Sequence, residues 1–356
     1  MRHLRRFAPA GWLAMMVAGM AHAEPPRYRV VDVFDPPPYP GPARADSAAI
    51  GNGPWSAATF QQIGGGFAAF RCTKQTCEQV FRFERPGGGE IAADVNRSGA
   101  VVGTQEFDRG SRGFVDDPVA GLSSIPSFND ACPWQLLRSV ATAINDAGLV
   151  VGASQTCDGV MHGVLFENDV VTRIPVPTGI VDVDPADVSD KRVVVGGAKK
   201  LDGATEAFRY DGQVMTLLGT LGGTWSHAHA VNNGGRIVGC SYTVANAATQ
   251  AFLYERGAMV ALPPPGDGTA CAHDINKDGA VVGTGTVAGQ SVGFLYAGGA
   301  THDLNDLLRR SDQGEWRVVG AVGINNRGQI AATALKQGAT ETSAVRLEPI
   351  LPGSAR

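Results

Sequence analysis

Residues 218–239 read LGTLGGTWSHAHAVNNGGRIVG, and residues 250–262 read QAFLYERGAMVAL. Variants of the phrase AHAVNNGGRIVG recur along the chain, each with a branched apolar residue, here called the anchor, just before the Asn place. The anchors are Ile50, Val95, Ile144, Val188, Val231, Ile275 and Ile324. Successive anchors are 43 to 49 residues apart, which indicates one unit repeated seven times.

A second phrase, of the AFLY type, follows each of the last six anchors, with its second residue 19 to 21 positions after the anchor. In the first repeat we place this phrase at VFRF, residues 80–83, where the distance is 31 and the extra residues include Cys72 and Cys77. The Asn-x-x-Gly after the anchor predicts a turn, because Asn bonds to nearby backbone and Gly adopts positive φ. Dipeptides such as Asp211-Gly212 predict a tight hairpin after the AFLY phrase.

Each unit of about 44 residues therefore predicts four short antiparallel strands, which is one blade of a β-propeller. We expect an all-β, seven-bladed β-propeller that forms a single domain over residues 24–350, with a tail at 351–356. The last unit lacks a convincing fourth strand, and YRVVDV at 28–33 can supply it by pairing with 344–347. Such pairing closes the ring and leaves no open strand edge. An open β-solenoid is the alternative, but its units are usually about 20–30 residues long.

Residues 1–23 have the pattern of a secretory signal peptide. The basic segment MRHLRR precedes 14 mostly apolar residues and the small-residue site AHA, so we place cleavage after Ala23. An apolar segment of 14 residues is too short to cross a hydrocarbon core of about 30 Å as a helix, so no membrane span is expected. The residues around Arg5-Arg6 do not support a twin-arginine signal, so we predict the general secretory route and a periplasmic or extracellular location.

The net charge limits the partners. Beyond residue 23 the chain has 27 basic and 34 acidic residues, so nothing in its charge attracts nucleic acid or anionic lipid. We predict a monomer with no cofactor, no metal and no nucleic-acid partner.

All six cysteines lie in the part of the chain predicted to be exported, where an oxidising compartment favours disulfides. Their positions, nearly symmetrical about hairpin turns, predict the pairs Cys72–Cys77, Cys132–Cys157 and Cys240–Cys271. For the last pair the turn is at Arg256-Gly257. No CxxC occurs and the spacings match no zinc pattern, so a metal site is the less favoured interpretation.

The stretch at 218–262 resembles the units of the HAF family of exported bacterial repeat proteins. Those units combine an LGTLGG-like stretch, an A-x-x-I-N-x-x-G-x-V-V-G phrase and an AF-x-Y phrase. The resemblance extends over 28–347, although Gly51 and Ser189 replace the expected Asn in the first and fourth repeats. It implies export and a β-propeller-like array, and it brings no established activity or ligand.

Three histidines form the first candidate site. His229 and His273 both lie two residues before an anchor, and His227 lies two residues before His229. If that strand lines the channel, the three imidazoles converge on a metal or an anionic ligand. The alternative is that they are ordinary polar residues at a repeat boundary, because no carboxylate at matching spacing completes a ligand set.

Three tryptophans form the second candidate site. Trp134, Trp225 and Trp316 each lie in the connection entering a repeat, and connections of one type emerge on one face of a propeller. Exposed indoles there would stack on sugars or contact a protein partner. The alternative, which we favour, is that each indole packs between blades.

Three aspartates, Asp94, Asp187 and Asp274, each precede an anchor. Acid–base catalysis requires carboxyls to approach closely, and alternate repeats would hold these apart around a ring. We therefore expect them to accept hydrogen bonds from turn N–H groups. A calcium loop beginning at Asp274 is also disfavoured, because Gly285 occupies the place of its twelfth-position Glu.

These observations favour a binding or interaction module whose ligand is an envelope or extracellular glycan or protein. We predict no catalytic residue. The alternative is a secreted propeller enzyme that acts on polysaccharide or peptide at a channel site around His227, His229 and His273.

Overall fold

The computed structural model describes residues 25–32, 44–61, 66–74, 76–80, 89–107, 110–127 and 138–350. The predicted signal segment 1–23 and the tail 351–356 lie outside these residues. The described part of the chain is all-β apart from a 3-10 turn and two helices of four residues each. Within it, no helix has the length and apolar character needed to cross a membrane.

The strands, numbered in chain order, are short. The first fourteen are β1 Arg27–Asp32, β2 Arg44–Ile50, β3 Ser56–Gln61, β4 Phe67–Cys72, β5 Cys77–Gln79, β6 Gly89–Val95, β7 Val101–Phe107, β8 Gly110–Asp117, β9 Gly121–Ser124, β10 Ser139–Ile144, β11 Val150–Gln155, β12 Met161–Glu167, β13 Val170–Arg173 and β14 Ile180–Val188. The others are β15 Val194–Lys200, β16 Thr205–Tyr210, β17 Met215–Leu217, β18 Gly222–Val231, β19 Ile237–Thr243, β20 Thr249–Glu255, β21 Ala258–Ala261, β22 Ala270–Ile275, β23 Val281–Val287, β24 Gln290–Ala297, β25 Ala300–Asp303, β26 Trp316–Ile324, β27 Ile330–Lys336 and β28 Thr342–Ile350. Helices α1 Leu304–Leu307 and α2 Arg310–Gln313 lie between β25 and β26, and the 3-10 turn is Val244–Asn246.

Consecutive strands pair antiparallel in groups of four. The groups β2–β5, β6–β9, β10–β13 and β22–β25 are separate sheets. A parallel pairing of Thr205 with Trp225 joins β14–β17 to β18–β21 in one eight-stranded sheet. In the last sheet, β26, β27 and β28 are completed by β1, whose residues 27–32 pair with 345–350. The predicted pairing of the N-terminal strand with the end of the last repeat is therefore observed.

The first repeat differs from the prediction. Its third strand is β4, FAAFRC, and Phe70 lies 20 residues after Ile50, within the range of 19 to 21 residues in the other repeats. Phe70 is only 1% exposed, like its counterparts in later repeats, which are Phe114, Phe208, Phe252 and Phe294. The placement of this strand at 80–83 was wrong, because AFRC is the AF-x-Y phrase with Cys72 in the Tyr place.

The core lies between neighbouring sheets. One cluster joins Ala230 and Val238 from one repeat to Ile275 and Phe294 from the next. The strands that begin with the Val-Val-Gly phrase are buried on both faces, so their apolar side chains run continuously instead of alternating with polar ones. Each repeat therefore needs its neighbours to bury its apolar surface.

The Asn of the repeat phrase links one repeat to the next. In its own turn, Asn232 Oδ1 accepts hydrogen bonds from the backbone N–H groups of Gly234 and Arg236. Its Nδ2 donates to the carbonyl oxygen of Asn276, the equivalent residue of the following repeat, over 2.9 Å. We call these inter-repeat bonds the amide links. They run from Asn96 to Asn145, Asn145 to Ser189, Asn232 to Asn276, Asn276 to Asn325, and Asn325 to Gly51.

Two amide links are missing because Gly51 and Ser189 have no side-chain amide. The link from Asn325 to Gly51 joins the last repeat to the first. A second bond between the same two repeats runs from the backbone N–H of Asn326 to Oδ1 of Asn52. The Asn of the repeat phrase thus determines both the turn within a repeat and the contact between repeats.

Candidate functional site

The candidate histidines lie on the first strands of the fifth and sixth repeats. His227 and His229 are on β18, and His273 is on β22. Side chains two residues apart on a strand lie on the same face, so His227 and His229 share one side of β18. The structure brings all three imidazoles together.

Five aromatic rings lie in succession here, and we call them the aromatic row. Tyr242 and Trp225 have ring centres 5.2 Å apart, and the rings of Trp225 and His227 stack at 6.4 Å. The ring centres of His227 and His229 are 5.0 Å apart, and His229 and His273 stack at 5.6 Å with an interplanar angle of 7°. Tyr242 is 36% exposed and the other four are half-buried, so the row leads from solvent into the protein.

His229 is neutral near pH 7. Burial, together with the neighbouring rings of His227 and His273, lowers its pKa to about 4. Nδ1 of His229 lies 2.9 Å from the carbonyl oxygen of Ala272 and donates to it, because a carbonyl only accepts. Burial also lowers the pKa of His273. In an earlier repeat, Thr142 makes the equivalent bond to the Pro185 carbonyl, so a polar side chain at this position links neighbouring repeats in both places.

His227 has a carboxylate partner that the sequence analysis did not find. Its Nε2 lies 3.6 Å from Oδ2 of Asp184, whose side chain is 76% exposed. Nδ1 of His227 is buried and has no hydrogen-bond partner among the described residues. The statement that no carboxylate lies at matching spacing was wrong, because Asp184 lies at the spacing of His227. Asp184 and His227 both lie four residues before an anchor, and comparing that position between repeats would have revealed the pair.

The disulfide Cys240–Cys271 was predicted correctly but for the wrong reason. It joins β19 to β22 and therefore connects neighbouring repeats, not two strands across the turn at 256–257. At the preceding boundary, between β15 and β18, the positions equivalent to Cys240 and Cys271 are occupied by Gly197 and His227. A Cβ on Gly197 would lie 2.5 Å from the imidazole of His227. The same pair of positions therefore holds a disulfide at one boundary and a glycine against a histidine at the boundary before it.

The other cysteines agree with the prediction as far as they are described. Cys72 and Cys77 form a disulfide across the β4–β5 hairpin. Cys157 is disulfide-bonded, and its predicted partner Cys132 lies outside the described residues.

The tryptophans do not share one environment. Trp225 lies within β18 and Trp316 begins β26, so both belong to strands and not to the connections where we expected them. Strand β18 is ten residues long and β26 is nine residues long, so each strand includes its tryptophan. Trp316 packs on the core of the last sheet, with Nζ of Lys336 5.3 Å from its ring centre. Trp134 lies outside the described residues.

The three aspartates line a cavity of about 150 Å³ at the anchor ends of the first strands. Each accepts one hydrogen bond from its own anchor N–H and one from the next anchor N–H, in the pairs Asp94 with Val95 and Ile144, Asp187 with Val188 and Val231, and Asp274 with Ile275 and Ile324. Burial raises the pKa of Asp187 to about 7, although its two backbone hydrogen bonds lower it. Repulsion from the carboxylates of Asp94 and Asp274 adds to the upward shift. The predicted acceptor role is therefore observed, but the bonds also join repeats.

No family model matches this chain, and no curated protein matches it. Solved structures do. The β-propeller domain of the Trilobed protease from Pyrococcus furiosus, described as having an open velcro topology, superposes with a TM-score of 0.56 at 11% identity, covering 88% of this chain and 99% of that domain. A puromycin-hydrolyzing peptidase of Mycobacterium tuberculosis gives a TM-score of 0.56 at 11% identity, with 88% and 53% covered. An acylaminoacyl peptidase of Pyrococcus horikoshii gives 0.55 at 11% identity, with 87% and 52% covered.

This chain is therefore similar in fold to β-propellers. It spans about half the length of each of the two peptidases. At 11% identity, the likeness shows the fold and not the activity.

Proposed function

We propose that this chain is an exported, seven-bladed β-propeller of the HAF-repeat type that acts as a binding module. Seven anchors and the bonds from Asn325 and Asn326 to the first repeat support a closed ring of seven blades. The signal-like segment 1–23 and the disulfides support a periplasmic or extracellular location.

The observation that carries this proposal is the aromatic row. Aromatic faces stack on sugar rings and on apolar or aromatic side chains, and they lose little entropy on binding because they are already packed. The row begins at Tyr242 and Trp225 and continues through uncharged His229. Its ligand is accordingly a glycan or a protein segment of the envelope or the extracellular space, which stacks first on Trp225.

A glycan array and capture from envelope extract test this proposal. Trp225→Ala should weaken binding of the captured ligand at least about tenfold, as expected for a central aromatic contact. Trp316→Ala is the matched control, because its indole packs on the core of the last sheet, away from the described contacts of the row. It should leave affinity unchanged while lowering thermal stability. Equal affinity of the Trp225→Ala and wild-type proteins would reject the proposal.

An enzyme is the second candidate, because Asp184 lies beside His227 on the same row. A carboxylate next to an imidazole is a common arrangement for proton transfer. Turnover of polysaccharide or peptide by the wild-type protein, lost in Asp184→Asn and His227→Gln while ligand binding persists, would establish it. Binding without turnover would leave the module as the function.

A further inference from the structure

Four metal-binding side chains meet at the inner end of the aromatic row, where the fifth and sixth repeats are joined. One ring nitrogen of His229, one of His273 and the sulfur of Cys271 all lie within 4.8 Å of one another. Cys240 adds a second sulfur, because it is bonded to Cys271. Nδ1 of His229 is 3.7 Å from the sulfur of Cys240 and 3.6 Å from that of Cys271.

The two nitrogen–sulfur separations at His229 match a tetrahedral site. A zinc ion about 2.3 Å from sulfur and about 2.0 Å from nitrogen holds a nitrogen and a sulfur about 3.5 Å apart at the tetrahedral angle, and it holds two sulfurs about 3.8 Å apart, so the two sulfurs must separate after reduction. Two sulfurs and two imidazoles are the ligand set of many structural zinc sites. In the oxidised protein both sulfurs are committed to the disulfide, so thiolate ligands exist only after reduction.

We propose that the Cys240–Cys271 disulfide is a redox gate, and that its reduction creates a Cys2His2 site for Zn²⁺ with His229 and His273. This goes beyond the binding of a glycan or protein, because it requires neither.

The reductant is a dithiol, either a small molecule or a dithiol oxidoreductase. Its thiolate attacks the sulfur of Cys271, which is half-buried, whereas Cys240 is only 1% exposed. The Cys240 thiolate leaves, and the second thiol of the reductant then attacks the mixed disulfide and releases the thiolate of Cys271. The dithiol becomes a disulfide, and the protein gains two thiols. Zn²⁺ binding to these thiols releases two protons.

The surroundings preserve the arrangement of the four ligands after reduction. The amide link from Asn232 to Asn276 and the shared core of Ala230, Ile275 and Phe294 continue to join the two repeats. Binding through Nδ1 of His229 exchanges its bond to the Ala272 carbonyl for a bond to zinc, which lowers the affinity by the strength of that hydrogen bond.

Titration with Zn²⁺ against a colorimetric chelator, on the full chain before and after reduction by a phosphine, tests the gate. We expect one equivalent bound by reduced protein and none by oxidised protein at that site. His229→Ala, His273→Ala and the double variant Cys240→Ser with Cys271→Ser should each weaken binding about 100-fold or more, since even outer partners of a ligand are worth about 10–100-fold. The double variant Cys72→Ser with Cys77→Ser is the matched control and should bind zinc like wild type.

Equal zinc binding by oxidised protein, or zinc binding that survives loss of both cysteines, would overturn the proposal. Circular dichroism follows the fold of the reduced protein, and reduced protein that unfolds and is not restored by Zn²⁺ would also overturn it. Co²⁺ provides a second readout, because a tetrahedral thiolate site gives it a characteristic absorption. Trp225→Ala should leave zinc binding intact, so failure of the gate and failure of the ligand proposal are separable.

Discussion

The boundary between the first and second repeats and the boundary between the fifth and sixth are held by different chemistry. The fifth and sixth repeats share an amide link and a disulfide. At the first boundary Gly51 provides no amide, and the backbones instead approach so closely that a Cβ on Gly53 would lie 2.4 Å from the Arg97 carbonyl oxygen. A buried ion pair between Arg71 and Asp116, 4% and 10% exposed, also crosses this boundary.

The comparison shows that the repeat phrase determines where two repeats meet, and that local substitutions determine how they are held. Arg71 and Gly53 replace the amide link where Asn is lost. The pair of positions that holds the disulfide at one boundary holds Gly197 and His227 at another. The similarity of the repeats therefore predicts the architecture. The differences between repeats indicate how strongly each boundary is held and where the candidate site lies.

Arg71→Ala should have the largest effect on stability. It leaves Asp116 buried and unpaired, which costs about 3–5 kcal/mol of unfolding free energy. Urea unfolding measures the loss, and Arg209→Ala, which breaks an exposed pair with Asp211, should change stability by less than about 1 kcal/mol. A loss that small for Arg71→Ala would mean that the ion pair contributes little to the first boundary, where Ala57 and Ala69 also pack against Phe114.

A pH dependence should appear at the boundary between the fourth and fifth repeats, where Asp187 bonds to Val231 and Ser189 provides no amide. Burial raises the pKa of Asp187 to about 7, so the folded state binds a proton more tightly than the unfolded state does. The contribution of Asp187 to stability is then fully present below about pH 4 and is lost as the pH rises to about 7, with a slope of at most about 1.4 kcal/mol per unit.

Asp187→Asn removes the titrating group of that boundary. Its unfolding free energy should show a shallower slope across this pH window than wild type shows. If the unfolding free energies of the two proteins depend on pH in the same way, the pKa of Asp187 is the same in the folded and unfolded states.

The disulfides Cys240–Cys271 and Cys72–Cys77 should contribute unequally to the free energy of unfolding. In the chain-entropy model, the pair Cys240–Cys271 spans 31 residues and contributes about 3.7 kcal/mol. Cys72–Cys77 spans 5 residues and contributes about 2 kcal/mol. Thermal unfolding of the two double Cys→Ala variants compares them, and a larger loss for the short hairpin loop would contradict this assignment.

The amide links should give the smallest effects. Asn276→Ala removes the turn acceptor and one link, which lowers stability by about 1–3 kcal/mol. Ser189→Asn offers the missing link to the carbonyl of Asn232 and should raise stability by up to about 1 kcal/mol. Shifts of the urea midpoint measure both, and a destabilised Ser189→Asn protein would show that its turn cannot accept an amide.

The strand grouping could be predicted because the repeat spacing is regular, and the Cys72–Cys77 disulfide because the two cysteines flank one hairpin turn. The pairing of the first strand with the last repeat followed from the missing fourth strand of that repeat. The contacts of His227 with Asp184 and of Cys240 with Cys271 each join neighbouring repeats, and the turns within a single repeat do not predict them. The third strand of the first repeat was missed because Cys72 stands where the third to sixth repeats have an aromatic residue. The aromatic row could not be predicted from the sequence, because its rings come from different strands whose adjacent faces only the structure shows.

The pairing of β1 with β28 has a consequence for how the chain folds. β1 and β28 are the first and last strands among the described residues, so the last sheet stays incomplete until β28 has been synthesised. Joining segments more than 300 positions apart demands a large loop-closure entropy, which slows the final step. Until then Tyr28, only 1% exposed in the finished fold, remains in contact with solvent. Loss of either strand thus leaves this sheet incomplete, and completion of the sheet reports that both strands are present.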